Sequence, residues 1–175
     1  MLHYLYTYPE TIVDGDGIRF SIYLSGCRHH CRGCHNPESW NPASGHPLTR
    51  EKIEEFIEAI NSNPLLDGIT FSGGDPFYSP EDFLPLIKEF SERTGQNIWC
   101  YTGYLFDKDV LDKMCKESEV TKEIVSYLDI VVDGEFMIDR KNLKINCRGS
   151  DNQRIIDVKK TLDAGEIVHW EREIQ

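Results

Sequence analysis

Short β-rich segments alternate with helix-length segments along most of this chain. The candidate strands are residues 19–25, 68–72, 97–101, 129–133 and 154–158. Alternation of this kind predicts βαβ units and a parallel sheet. A complete eight-unit barrel takes about 250 residues, whereas this chain has 175. We therefore expect an α/β fold in a single domain over residues 1–175: an open, partial (βα) barrel with a curved, mostly parallel sheet of about five or six strands.

Two of the intervening segments carry clear helix signals. Residues 50–61 repeat apolar side chains at helical spacing, and Thr49 stands where an N-cap is expected. The next helix is expected to begin at Ser79 as the cap, with Pro80 at the first helical position. Pro85 predicts either a kink in this helix or a later start, because proline cannot donate the backbone hydrogen bond of a helix interior.

Chemistry-bearing segments follow the candidate strands directly. They are the cysteine-rich loop after residue 25, then 72–76, 102–103 and 133–134. Ligands of open α/β sheets bind beyond the carboxyl ends of the strands. The functional site is therefore expected at that edge of the sheet.

The most specific motif is a run of three cysteines after the first candidate strand. Cys27, Cys31 and Cys34 have the spacing C-x3-C-x2-C, and no fourth cysteine lies nearby. Ordinary cubane clusters take four cysteines, so three would leave one iron open, as in catalytic metal sites. The spacing favours a catalytic 4Fe-4S cluster. Arg28 and Arg32 flank the thiols and are expected to help hold them as thiolates.

Other interpretations of the thiols stay open at this point. A structural zinc ion could take the three cysteines together with His30 or His35. The thiols could also form a redox-sensing cluster. A non-enzymatic, cysteine-rich module for metal binding or electron transfer is the corresponding alternative function.

Composition limits the partners and the compartment. Nineteen Lys and Arg face 30 Asp and Glu, a net charge of −11 that disfavours nucleic-acid binding. No stretch approaches the roughly 20 apolar residues of a membrane helix, and residues 1–9 lack the pattern of a signal peptide. We expect a cytoplasmic protein without a membrane partner. Its six cysteines are then ligands, catalytic groups or core residues rather than disulfides.

The motifs together resemble a known family. A C-x3-C-x2-C loop after a strand is the hallmark of the radical S-adenosylmethionine superfamily. Within it, the chain is similar to the glycyl-radical-enzyme activases, and this similarity runs from about Tyr8 to about Ile156. The stretches that carry it are residues 13–20, 25–36, 72–76, 99–104, 132–134 and 148–153.

The resemblance implies a reaction and partners. Cys27, Cys31 and Cys34 would be catalytic and would hold the 4Fe-4S cluster that binds S-adenosylmethionine. An electron from flavodoxin or ferredoxin would cleave this substrate to methionine and a 5′-deoxyadenosyl radical. The radical would install a glycyl radical on anaerobic ribonucleoside-triphosphate reductase, so the chain would be a radical S-adenosylmethionine oxidoreductase. Another glycyl radical enzyme, such as pyruvate formate-lyase, is the alternative partner, but the short chain and Asp75, where that relative's activase typically has glutamate, argue against it.

The resemblance also implies residues that bind S-adenosylmethionine. Gly73 and Gly74 would bind its methionyl amino group, and the Asp75 carboxylate would add an acceptor for the ammonium. A tight turn before the next helix is the other interpretation of the two glycines. Asp133, at the end of a candidate strand, is the best further candidate for a polar role in the site.

The cysteine loop itself is implied to contact the adenine ring. Backbone groups of Gly33, Cys34 and His35 would make this contact. The side chains of His29 and His30 are expected at the loop surface rather than as metal ligands.

Two further segments are less specific. The turn 14–17 fails the template of an EF-hand, because Ile18 stands at its fifth position. The resemblance implies that this turn helps to admit the partner's glycine loop, and a plain surface turn is the alternative. Cys147 stands where the family carries an aromatic residue, and residues after Val158 have no counterpart in it.

Overall fold

A computed structural model describes residues 1–172. Its single sheet has seven strands in the order β3-β1-β2-β4-β5-β6-β7, so that β3 and β7 form the two edges. The strands are β1 (His3–Thr11), β2 (Arg19–Leu24), β3 (His46–Pro47), β4 (Gly68–Gly73), β5 (Asn97–Tyr101), β6 (Ile130–Asp133) and β7 (Arg154–Asp157).

The four central strands confirm the predicted parallel arrangement. β2, β4, β5 and β6 pair in parallel, whereas β1, β3 and β7 pair with their neighbours in the antiparallel direction. The sheet is therefore mixed, and the expectation of a mostly parallel sheet of five or six strands was wrong. The additional strands lie outside the βαβ pattern: a turn joins β1 directly to β2, and antiparallel neighbours need no crossover helix.

The helices are α1 (Arg50–Asn61), α2 (Pro80–Thr94), α3 (Cys115–Glu117), α4 (Glu119–Ser126) and α5 (Val158–Ala164), with a π-helical segment at Phe106–Met114 and 3₁₀ turns at Pro37–Trp40, Pro76–Tyr78 and Ile138–Arg140. Helices α1 to α4 lie between the parallel strands, and α5 follows β7. None of the helices within residues 1–172 is both long and apolar enough to cross a bilayer.

The two helix starts differ in how they are capped. The Thr49 hydroxyl accepts a hydrogen bond from the backbone N–H of Lys52 at 3.2 Å, which confirms the predicted N-cap of α1. α2 begins after Ser79 as expected, but the Ser79 hydroxyl donates to the Asp82 carboxylate at 3.2 Å instead of capping the backbone. Pro85 lies inside α2 without ending it.

The two faces of the sheet carry different side chains because successive residues of a strand point to opposite sides. Ile69 and Phe71 of β4 belong to the main hydrophobic core that packs against the helices. Between them, Thr70 contacts the buried guanidinium of Arg19 on the opposite face, with Nε donating to Oγ1 at 2.9 Å. This opposite face also carries a small apolar cluster of Trp99, Ile130 and Val132.

Trp170 and Arg172 lie at the amino ends of the parallel strands, opposite the cysteine loop, where they line a cavity of about 820 Å³ together with Asn97 and Asp129. The backbone N–H of Trp170 donates to the carbonyl of Ile155 at 2.9 Å. The Trp170 ring packs edge-on against Trp99 with centroids 5.2 Å apart. The last described residues thus lie at the end of the sheet at which no site is expected.

Candidate functional site

A pocket of about 360 Å³ lies at the carboxyl ends of the parallel strands. Its wall contains Cys27, Cys31 and Cys34 from the loop after β2, and Gly73 and Gly74 from the end of β4. The structure thus brings the cysteine motif and the Gly73–Gly74 pair together in one pocket.

Glycine is required where β4 meets the start of the cysteine loop. A Cβ added to Gly74 would lie 2.4 Å from the carbonyl oxygen of Gly26, far inside contact distance. Gly73 has φ +92°, which side chains rarely tolerate. The segment is held tightly, since the N–H of Gly74 donates to the Leu24 carbonyl at 2.7 Å and that of Asp75 to the Gly26 carbonyl at 2.8 Å. A bare backbone edge therefore faces the pocket beside the thiols.

The three thiols are free and half-buried. The loop folds back on itself, with the N–H of Cys34 donating to the Cys31 carbonyl at 3.1 Å and that of Asn36 to the Cys34 sulfur at 3.4 Å. Burial raises the pKa of the Cys27 thiol to about 11 and also raises the pKa of Cys31.

The flanking arginines do not act on the thiols as expected. The Arg28 guanidinium lies over the Tyr78 ring, 4.2 Å from its centroid, and donates to the Tyr78 carbonyl at 2.9 Å. Arg32 pairs with Asp139 at 2.9 Å on the surface. The expectation that these two side chains stabilise thiolates was wrong. A bound metal would instead deprotonate the cysteine thiols, because a thiol that coordinates a metal ion loses its proton.

The donor set fits a cubane. Three cysteines on one short loop supply the thiolates that 4Fe-4S clusters use. Within residues 1–172, no three His, Cys, Asp or Glu side chains converge closely enough to hold a single metal ion. A cubane does not need such convergence, because each cysteine binds a different iron. His30, one proposed fourth ligand for zinc, stacks on Trp40 with ring centroids 4.6 Å apart and does not line the pocket.

His29 is the largest departure from the sequence-based expectation. Its side chain is only 9% exposed and lines the pocket, so placing it at the loop surface was wrong. Nε2 lies 2.7 Å from Asp75 Oδ2 and Nδ1 lies 3.0 Å from Glu135 Oε1. Burial lowers the pKa of His29, but the hydrogen bonds to the two carboxylates outweigh this effect and raise it. His29 thereby ties the cysteine loop to segments that follow β4 and β6.

The protein itself uses the Asp75 carboxylate as a hydrogen-bond acceptor. The carboxylate is buried and accepts hydrogen bonds from the Thr102 hydroxyl at 2.9 Å, the Gly103 N–H at 2.9 Å and the Phe77 N–H at 3.0 Å, in addition to His29. Asp75 does not line the pocket. These bonds organise the pocket wall from behind, and the expected contact with a methionyl ammonium stays a prediction.

Asp133 is likewise turned away from the pocket. Its fully buried carboxylate accepts from the Phe106 N–H at 2.7 Å and from Arg154 Nη2 at 2.6 Å. Arg154 also pairs with Asp107 at 2.9 Å, which lowers the pKa of that carboxyl. These partners use the oxygens of Asp133, and its predicted polar role in the site stays a prediction. Its neighbour Gly134 lines the pocket instead.

The expected adenine-contacting stretch reaches the pocket in part. Cys34 and His35 line it, whereas Gly33 does not. Gly33 adopts φ +78°, and a Cβ there would lie 2.6 Å from the Ile138 side chain. The His35 ring is exposed and packs against Phe136 with centroids 5.2 Å apart.

A group of tyrosines in the pocket wall was missed by the sequence reasoning. Tyr6, Tyr8, Tyr23 and Tyr101 all line the pocket. The rings of Tyr6 and Tyr23 are 4.7 Å apart, and the Tyr23 hydroxyl donates to the Asp14 carboxylate at 2.5 Å. The alternation of tyrosines along the first residues of the chain was the available signal, and it was not interpreted as a strand.

The sequence is similar to one family of known proteins over most of its length. Residues 13–156 match the family model described as a 4Fe-4S single cluster domain. The anaerobic ribonucleoside-triphosphate reductase-activating protein of Escherichia coli (strain K12) is 35% identical over 156 residues, which cover 87% of this chain and 96% of that protein. The protein of the same name from Enterobacteria phage T4 is 35% identical over 88% of this chain and 93% of its own length. That from Haemophilus influenzae is 32% identical over 88% and 97%.

Proposed function

We infer the function of this chain from its family: it belongs to the anaerobic ribonucleoside-triphosphate reductase-activating proteins and carries a 4Fe-4S single cluster domain. We propose that Cys27, Cys31 and Cys34 hold the cluster, that the chain cleaves S-adenosylmethionine reductively there, and that it installs a glycyl radical on anaerobic ribonucleoside-triphosphate reductase. The observation that carries the proposal is the single pocket shared by the three thiols and the Gly73–Gly74 edge.

The protein's part in the reaction is to position the reactants. When bound, the cluster supplies the electron that breaks a carbon–sulfur bond of S-adenosylmethionine, giving methionine and a 5′-deoxyadenosyl radical. Gly73 and Gly74 bring the chain close to the pocket beside the thiols, and their backbone is proposed to bind the methionyl amino group. Cys34 and His35 line the same pocket, and their backbone is proposed to contact the adenine.

His29 and Asp75 hold the cysteine loop and the pocket wall in position through hydrogen bonds. His29 links the cysteine loop to Asp75 and Glu135. Asp75 in turn fixes the Thr102–Gly103 backbone through its carboxylate. Gly33, Asp75 and Asp133 do not line the pocket, and their expected contacts with S-adenosylmethionine stay predictions.

The setting of the reaction follows from the same features. We propose that the face of the sheet opposite the helices is the inside of a partial barrel. We also propose that residues 1–175 act as one domain. An external one-electron donor is required, and flavodoxin or ferredoxin has the suitable chemistry. Among residues 1–172 the cysteines are all free thiols, which supports a cytoplasmic location because that compartment keeps thiols reduced.

The test is transfer of the radical to a defined partner. The chain is reconstituted with iron and sulfide without oxygen, then mixed with a reductant, S-adenosylmethionine and either anaerobic ribonucleoside-triphosphate reductase or pyruvate formate-lyase. We expect a glycyl radical signal by electron paramagnetic resonance on the reductase, dependent on S-adenosylmethionine. A signal on pyruvate formate-lyase alone would assign the chain to the other partner, and no signal on either would leave the family's activity unsupported here.

A further inference from the structure

The loop that carries the three thiols has an outer side that faces away from the pocket. Arg28, His30 and Arg32 alternate with the cysteines, are exposed, and do not line the pocket. The sequence contains no Asp or Glu from position 27 to position 37. The cysteine loop therefore presents only neutral and cationic side chains to solvent.

A second segment packs beside the cysteine loop on this outer side. Asp139 pairs with Arg32 at 2.9 Å, and a Cβ added to Gly33 would lie 2.6 Å from the Ile138 side chain. Met137 and Ile138 are 47% and 36% exposed and do not line the pocket. We call residues 27–36 and 135–141 together the outer face.

The charge of the outer face is opposite to that of the rest of the chain. The outer face carries four Arg or Lys against two Asp or Glu, which leaves 15 basic and 28 acidic residues for the remainder. A positive region on a strongly acidic protein orients an approaching charged partner, because the summed charges steer diffusional encounter. The distribution favours an acidic partner at the outer face and disfavours it elsewhere.

Two of the cations on the outer face are free to meet such a partner. Both acidic residues of the outer face pair with side chains of the same face, and Arg140 pairs with Asp151 just outside it. Arg28 and Lys141 form no ion pair within residues 1–172. No carboxylate of the described chain therefore offsets these two charges.

The position of the outer face matches one requirement of the proposed reaction, the delivery of an electron to the cluster. Electron transfer slows steeply with distance, so a protein that donates the electron has to dock close to the thiols. S-adenosylmethionine is proposed to occupy the pocket side of the cysteine loop, which leaves the outer side for the donor. The exposed Met137 and Ile138 side chains add an apolar contact among the charges, as protein interfaces commonly have.

We propose that the outer face is the docking surface for a small acidic protein that carries single electrons on a reduced flavin or iron–sulfur centre, an inference that rests on the function proposed above. The carrier gives up one electron to the cluster, and no bond forms between the two proteins. Because opposite charges attract over a distance that salt shortens, the association should weaken as ionic strength rises.

The test reverses charges on the outer face of the reconstituted, full-length protein. Arg32→Glu and Lys141→Glu are compared with Lys113→Glu, the same reversal at an exposed lysine of the π-helical segment that does not line the pocket. Reduced flavodoxin and reduced ferredoxin serve as the acidic carriers, and dithionite serves as a small reductant that needs no docking surface.

For the outer-face variants we expect unchanged iron content and unchanged 5′-deoxyadenosine formation with dithionite. Their KM for the carrier that reduces the unmodified chain should rise at least about fivefold at low salt, whereas Lys113→Glu should leave it unchanged. The difference should shrink at about 0.5 M salt. Binding of the same carrier, measured by calorimetry without S-adenosylmethionine, should weaken in the same variants.

The outcomes separate this inference from the proposed function. If dithionite gives no 5′-deoxyadenosine with the unmodified chain, the proposed function fails and the inference fails with it. If dithionite supports cleavage but neither carrier does, or if the outer-face variants match Lys113→Glu in KM and in binding, the docking surface is wrong while the function stands. Variants that raise the KM for the reductase instead would assign the outer face to that partner and overturn the inference.

Discussion

Replacing Cys31 by Ala is expected to abolish both iron–sulfur binding and the cleavage of S-adenosylmethionine. Cys31 is the middle one of three thiols in the pocket wall, and two thiolates from one short loop are too few to hold a cubane that normally takes four. Iron and sulfide content after anaerobic reconstitution, together with 5′-deoxyadenosine formation, measure the two losses.

Cys115→Ala is the matched control. This thiol is also half-buried, but it lies at the start of α3 and does not line the cluster pocket. The control should keep full iron content and activity. Cleavage that survives in Cys31→Ala would show that the radical chemistry does not depend on this loop.

Replacing His29 by Ala is expected to lower the free energy of unfolding by about 2 kcal/mol, because it removes charge-assisted hydrogen bonds from a buried carboxylate. Asp75 would lose its 2.7 Å partner, and the link to Glu135 would also be lost. The cysteine loop would no longer be tied to the sheet. We therefore also expect lower iron content after reconstitution and weaker binding of S-adenosylmethionine.

The neighbouring residue provides the comparison. His30 is exposed, and its only ring contact in the described structure is the stack on Trp40, so His30→Ala should change stability by less than about 0.5 kcal/mol. Chemical denaturation of the metal-free proteins measures stability apart from the cluster. Equal stability and equal iron content for the two variants would show that the bonds of His29 to Asp75 and Glu135 do not position the loop.

The parts of the fold that follow local rules could be predicted from the sequence. The four strands with helix-length segments between them predicted the parallel centre of the sheet, and Thr49 predicted the start of α1. The signal for β1 was weaker, because it consisted only of tyrosines at the alternate positions 4, 6 and 8. A register shift between Tyr4 and Tyr6 places Tyr4 in the helix-side core and Tyr6 in the pocket, which breaks the simple alternation of a strand.

In the site, too, the features set by local sequence motifs could be predicted, whereas those set by contacts between distant residues could not. The spacing of the cysteines and the Gly73–Gly74 pair indicated which segments would meet. The role of His29 depends on its contacts with Asp75 and Glu135, which lie 46 and 106 positions away along the chain. Single-sequence reasoning assigns a carboxylate next to a glycine pair to the ligand, because nothing in the neighbouring residues shows that the protein itself uses its oxygens.

The central claim is that three thiols hold a cluster to which S-adenosylmethionine binds directly. Electron paramagnetic resonance of the reconstituted and reduced protein, recorded before and after adding S-adenosylmethionine, tests it most directly. We predict a 4Fe-4S signal whose shape changes when S-adenosylmethionine is added. A signal that stays the same, or a protein that takes up one zinc ion in place of the cluster, would contradict the claim.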